Sequence, residues 1–156
     1  MYFRQADYEA IIKTVNEKKP FLKENDLKLI SLQPGEAVAS MRADERVSNM
    51  YGMVHGGALF SLADMAAGVC ALTSSKNVVT LNSSISFLQA ARPGLLRAVA
   101  RCLHAGRTTG VYSVEIFDDA EALVASAQFT MFFYQNLKPG LSHKEKNSQP
   151  ADSEKN

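Results

Sequence analysis

Residues 54–72 read VHGGALFSLADMAAGVCAL. A histidine and two glycines open a run in which, from Ala58 to Ser75, Asp64 and Cys70 are the only ionisable side chains. A segment apolar nearly all round predicts a helix from Gly56 to about Thr73 that is buried on most of its circumference. The apolar stretch Ala58 to Leu72 falls short of the ~20 residues that cross a bilayer and carries Ser61 and Asp64, so it reads as a core helix. One such helix in a small chain needs a sheet curled around it.

The flanking sequence supplies that sheet. Upstream, DLKLISL (26–32) and EAVASMRA (36–43) read as two strands joined at Gln33-Pro34-Gly35, with Pro and Gly where a tight turn takes them. Downstream the period changes to two. VVTLNSSISFLQAA (78–91), LLRAVARCLH (95–104), TGVYSVEIF (109–117) and ALVASAQFTMFFY (122–134) predict four antiparallel strands in series, with turns at Arg92-Pro93-Gly94 and Asp118-Asp119. At the N-terminus, Tyr8, Ile11, Ile12 and Val15 form the stripe of an amphipathic helix that Pro20 ends. Helix, hairpin, one buried helix and a meander make an α+β order with no βαβ alternation. The domain is expected over residues 1–137, with 138–156 a polar, aperiodic tail expected to be disordered.

Composition narrows the function. The 156 residues suit one domain, and 17 basic against 16 acidic side chains argue against nucleic acid as a partner. No glycine-rich phosphate loop appears, which leaves nucleotide-dependent phosphoryl or hydride transfer without support. Cys70 and Cys102 show no metal-ligand or redox spacing and read as buried thiols. MYFRQADYEA carries no export signal, so a cytoplasmic location without membrane attachment is the expectation.

The candidate site starts at the helix N-terminus, where unpaired backbone N–H groups and a partial positive charge can polarise a carbonyl oxygen. Gly56 and Gly57 let a ligand approach those amides closely, and His55 can donate to the same oxygen or hold the turn. The same Gly-Gly also serves a helix that enters a tight space. Asp64 adds chemistry. A carboxylate on a buried apolar helix is costly unless paired or partly solvated; it reads as a general base or nucleophile, or as a backbone-bonded structural carboxylate. Nine helical residues at ~1.5 Å rise put Asp64 and His55 roughly 13 Å apart, too far to act on one carbonyl. Two chains with antiparallel central helices would instead bring Asp64 of one chain to the His55-Gly56 end of the other, so the motif implies a homodimer with shared sites.

With Asn49, His55, Gly56, Gly57 and Asp64 standing as N-x(5)-HGG-x(6)-D, the chain resembles the hotdog-fold acyl-CoA thioesterases, in particular the PaaI-like branch acting on phenylacetyl-CoA and related aryl-acyl thioesters. The resemblance runs from about Asn49 to Phe133, with FLQAARPG and HAGRTTGVYSVEI in support. It implies a long central helix wrapped by a curved antiparallel sheet. It also implies that the Gly56 amide polarises the thioester carbonyl, that His55 orients it, and that Asp64 from the partner chain attacks or activates water. Asn49 would stand near the thioester, or simply form a local turn. Thr80 aligns with a hydroxyl that holds the hydrolytic water in some relatives, or is an ordinary strand residue. The turn Gly106-Arg107-Thr108 aligns with one whose basic residue meets coenzyme A phosphates, although a solvated turn arginine fits the sequence equally. Gly57 and Phe60 would line the substrate site. Coenzyme A enters as part of the substrate, with no separate cofactor and no metal, and the self-association implied is a dimer or a dimer of dimers. The strand after the helix departs from the family pattern, with Gln89 and Pro93 altering the local pocket wall.

The leading expectation is hydrolysis of an aryl-acyl or short- to medium-chain acyl-CoA. The alternatives are a non-catalytic acyl-CoA-binding protein and a hotdog hydratase or dehydratase.

Overall fold

The computed structural model describes residues 5–75 and 77–134. In chain order they form helices α1 (Gln5–Lys18) and α2 (Pro20–Glu24), strands β1 (Leu27–Gln33) and β2 (Glu36–Ala43), and a 3-10 turn at Glu45–Val47. Helix α3 (Gly56–Leu72) follows, then strands β3 (Val78–Phe87), β4 (Gly94–Ala105), β5 (Thr109–Phe117) and β6 (Leu123–Phe133). The expected tail at 138–156 lies outside the described residues.

The β1–β2 hairpin forms as expected, with Gly35 at φ +73° in its turn, a conformation that glycine adopts without a Cβ penalty. The four later strands are also present. Their connection differs from a four-strand meander: the single antiparallel sheet runs β1-β2-β4-β5-β6-β3, so only β4, β5 and β6 follow in series. β3 crosses to the far edge and pairs with β6, from Val78 opposite Phe133 to Phe87 opposite Ala125. The strand expected over 78–91 ends at Phe87; residues 88–93 are irregular and return the chain to β4 beside β2.

α3 touches all six strands, mainly the central β2, β4 and β5, so the sheet curves around it. Small side chains on both partners allow that close approach. Ala37, Ala39, Ala98 and Ala100 point inward from the sheet, and Ala63, Ala66, Ala67 and Ala71 fill the facing side of α3, all with no exposed surface. Phe60 completes the contact at one side, its ring tilted 49° to Phe129 with centroids 5.7 Å apart. At the other end Thr73 is buried; its Oγ1 donates to the Cys70 carbonyl at 2.8 Å and accepts from Gly35 N–H at 3.0 Å, tying the C-terminus of α3 to the β1–β2 turn.

α3 is buried on most of its circumference, as expected, and its closed faces supply the core. One stripe at helical spacing stays open: Gly57 is exposed, and Ser61, Asp64, Gly68 and Leu72 are only half-buried, so Asp64 is not enclosed as its apolar neighbours suggest. The first helix ends before Pro20, as expected, and Pro20 also opens α2 as its first residue, where a missing N–H costs nothing. The expectation of two buried thiols needs correction: Cys102 is half-buried, and of the two only Cys70 is fully enclosed. Among the described residues, no helix is long and apolar enough to cross a membrane.

Candidate active site

The start of α3 is built by its own sequence. His55 is the N-cap in extended conformation, and its Nδ1 accepts the Gly57 N–H at 2.9 Å. Ala58 and Leu59 N–H both donate to the His55 carbonyl. With Nδ1 occupied as an acceptor, the neutral ring carries its proton on Nε2, which makes that atom a donor. His55 is exposed, so it holds the turn and presents a donor at once. The Gly56 N–H is left with no acceptor among the described residues.

Both glycines have close neighbours that a side chain would have to displace slightly. A Cβ on Gly57 would stand 3.1 Å from His55 Nδ1, and one on Gly56 would meet the tip of the Phe87 ring at 3.0 Å. Asn49 sits in the loop before α3, where its Oδ1 accepts Tyr51 N–H at 2.9 Å and Met53 N–H at 3.2 Å. That is the local turn, and it leaves the amide NH₂ as the group with donors to offer. Asn49, Gly56 and Phe87 line a common cavity of about 320 Å³ with Met53, Leu59 and Gln89.

Asp64 lies two turns further along α3 on the uncovered stripe, half-buried rather than enclosed. Thr80, on β3, donates its hydroxyl to Asp64 Oδ1 at 2.7 Å. The strand hydroxyl therefore has a specific partner, and the carboxylate is fixed at one oxygen while the other remains available. This pair opens into a larger, mostly apolar cavity of about 620 Å³, lined also by Phe60, Ser61, Met65 and Val69.

Within one chain the candidate residues thus form two groups. His55, Gly56, Gly57 and Asn49 gather at the N-terminus of α3; Asp64, Thr80 and Phe60 border the larger cavity. Gly56 and Asp64 stand eight helical positions apart, about 12 Å along the axis. The turn Gly106-Arg107-Thr108 belongs to neither group. It is exposed beyond the opposite end of α3, where Arg107 and Thr108 border a hollow of about 210 Å³ with Ser75 and Tyr134.

Sequence reasoning passed over Phe87, which stands against Gly56, and the α1–α2 residues Val15 and Leu22, which line the larger cavity. The α1 stripe announced a buried partner for Val15 without naming it; nothing in the spacing singled out Phe87. Cys70 offers no competing nucleophile, because burial pushes its thiol up to about 12.

The thioesterase superfamily model matches residues 51–125, which span α3 and the strands through the start of β6. A 1,4-dihydroxy-2-naphthoyl-CoA hydrolase of Listeria monocytogenes is 30% identical over 108 residues, covering 67% of this chain and 88% of that protein. The acyl-coenzyme A thioesterase PaaI of Escherichia coli is 37% identical over 101 residues, 62% of this chain and 70% of PaaI. A solved structure of E. coli PaaI superposes with a TM-score of 0.75 at 30% identity, covering 79% of this chain and 90% of that one. The smu.793 protein of Streptococcus mutans, solved bound to acetyl-CoA, superposes with a TM-score of 0.67 at 34% identity, covering 72% of this chain and 91% of that one. With the HGG turn, the helix-borne aspartate and the helix-in-sheet architecture all in place, the chain belongs to the thioesterase superfamily and is a thioester hydrolase of the hotdog fold.

Proposed function

We propose that the protein hydrolyses an aryl-acyl or short- to medium-chain acyl-CoA to the free acid and coenzyme A, in a site shared by two chains. The observation that carries this reading is the division of one chain's residues. The unsatisfied Gly56 amide and the Thr80-bound Asp64 carboxylate border different cavities on one rigid helix. Two further features support a second copy. The Asp64 stripe of α3 is uncovered, with open space where a Gly68 side chain would stand, and β3 is an edge strand exposing Val79, Leu81 and Phe87. Antiparallel apposition of two α3 helices sets Asp64 of each chain at the other's Gly56, and two such dimers could pair again as a tetramer.

In that arrangement the thioester oxygen accepts from Gly56 N–H, with His55 Nε2 and the Asn49 amide as further donors. A single such donor is worth about 3 kcal/mol as negative charge develops on the oxygen. Asp64 supplies the oxygen nucleophile, by taking a proton from water as it attacks or by attacking the carbonyl carbon itself. The C–S bond then breaks, and coenzyme A leaves as thiolate and gains a proton. Attack by water gives the acid directly; attack by Asp64 leaves a mixed anhydride, which a water then hydrolyses to release the acid and restore the carboxylate. Thr80 keeps the Asp64 carboxylate aimed. Gly57 and Phe60 border the acyl group, and Arg107 with Gly106 and Thr108 offers donors to coenzyme A phosphates. The working unit is the domain over residues 1–137, with a cytoplasmic location.

Mixing the protein with phenylacetyl-CoA and with butyryl- to decanoyl-CoA, and following free thiol, tests the reading. Catalytic thiol release is expected. Saturable binding without thiol would instead identify an acyl-CoA-binding protein, and loss of enoyl absorbance from an enoyl-CoA with its thioester intact a hydratase.

A further inference from the structure

The cavity that holds Asp64 and Thr80 is walled on one side by residues that the superfamily match does not reach. Val15 of α1, Lys19 between the helices, and Phe21 and Leu22 of α2 line it, together with Met65 and Val69 of α3 and Val78 of β3. All but Lys19 are apolar, and the match begins only at residue 51. α2 itself contributes nothing fully buried to the core, and Phe21 is 56% exposed. Leu22 also rests against the core, but core packing does not account for the exposed Phe21 ring, whereas a cavity for an apolar ligand does.

The wall is anchored. Asn16 of α1 pairs with the backbone of Leu29 in both directions: its Nδ2 donates to the Leu29 carbonyl at 3.0 Å, and its Oδ1 accepts Leu29 N–H at 2.8 Å. β1 is the other edge strand of the sheet, and its ladder to β2 is irregular between Leu29 and Ser31. The side-chain amide thus stands in for a neighbouring strand at that edge, and it fixes the adjacent Val15 against the cavity. It adds a directional bond to the core packing of α1, in which Tyr8 is buried and Ile11, Ile12 and Val15 lie against the core.

Resting on the reading that this cavity receives the acyl group, we propose that the α1–α2 hairpin is the size-determining wall of the acyl pocket, with Val15 and Phe21 setting how long an acyl group the enzyme accepts. The hairpin stands at the cavity independently of Gly56, so it grades the substrate without entering the chemistry. Asn16 is its positioning residue.

The test is binding of thioether analogues of acetyl-, hexanoyl- and decanoyl-CoA, which cannot be hydrolysed, measured by calorimetry on the wild type, Val15→Phe and Phe21→Ala. Both positions are solvent-accessible in part, and a thermal melt of each variant is run first to check that it is folded. Val15→Phe is expected to lower the decanoyl-to-acetyl affinity ratio by tenfold or more, and Phe21→Ala to change the decanoyl affinity at least threefold relative to acetyl. Ratios equal to wild type in both folded variants overturn the proposal, as does binding indifferent to chain length. Because the readout is binding, absence of hydrolysis with the graded binding intact would refute the thioesterase reading alone.

Discussion

Replacing Thr80 by valine removes one hydroxyl and keeps the β-branched shape that β3 uses opposite Met131. The lost contacts are the 2.7 Å hydrogen bond to Asp64 Oδ1 and a 3.6 Å approach to Met131 Sδ, the weaker acceptor for the single hydroxyl hydrogen. A hydrogen bond to a charged group is worth about 1.5–3 kcal/mol when enclosed. Thr80 is exposed, so water competes and brings the value just below that range, to about 1.4 kcal/mol or tenfold in rate. On the proposed mechanism the bond orients Asp64 rather than holding substrate, so its loss should fall on kcat: a drop of about tenfold with KM within threefold, read by thiol release across a substrate titration. Thr80→Ser restores the hydroxyl and should recover most of the rate. Full activity in Thr80→Val, or a serine variant as slow as the valine one with both proteins folded, would refute the view that this hydroxyl aims the carboxylate.

Asp64→Asn keeps the size and one acceptor oxygen for Thr80 while removing the nucleophilic charge, so kcat should fall by about 100-fold or more with KM within a few-fold; turnover above a tenth of wild type would remove Asp64 from the chemistry. Gly56→Ala sets a methyl group 3.0 Å from the Phe87 ring, so the loss of rate should be partly relieved by adding Phe87→Leu, which a clash confined to the substrate would not show. Alkaline stability follows from Cys70 and Tyr112, both pushed up to about 12, chiefly by burial. The unfolded chain ionises first, so stability is full below about pH 9 and is lost as pH rises toward 12. A urea midpoint followed against pH should fall over that window, and less steeply in Cys70→Ala.

What the sequence disclosed and what it withheld have physical reasons. α3 was readable because apolar residues fill all but one narrow stripe, and that stripe was hidden because Gly57, Ser61 and Gly68 are small and carry little polar signal. Strand positions were readable from their period of two, yet period says nothing about pairing partners. Chain adjacency suggested β3 beside β4, while the polar run Asn82, Ser83 and Ser84 already marked β3 as suited to an edge. α2 is five residues long, too short for a periodic signal. His55, Gly56, Asn49 and Asp64 stand out as candidates because their types and spacing are informative, and the structure gathers the first three at the start of α3. The Asp64–Thr80 bond, the Phe87 ring over Gly56 and the Asn16 clasp on Leu29 depend on contacts across the fold that no local pattern encodes.

The central claim, that Asp64 works at the Gly56 end of a second chain, is tested most directly by mixing Asp64→Ala and His55→Ala proteins. Each is first shown to be folded and nearly inactive alone; the two are then unfolded together and refolded in equal amounts. Random pairing makes about half the dimers mixed, and each mixed dimer carries one site with both residues intact, so activity should return to roughly a quarter of wild type. If both residues served a site within one chain, no pairing could restore it, and a mixture as inactive as its components would contradict the account.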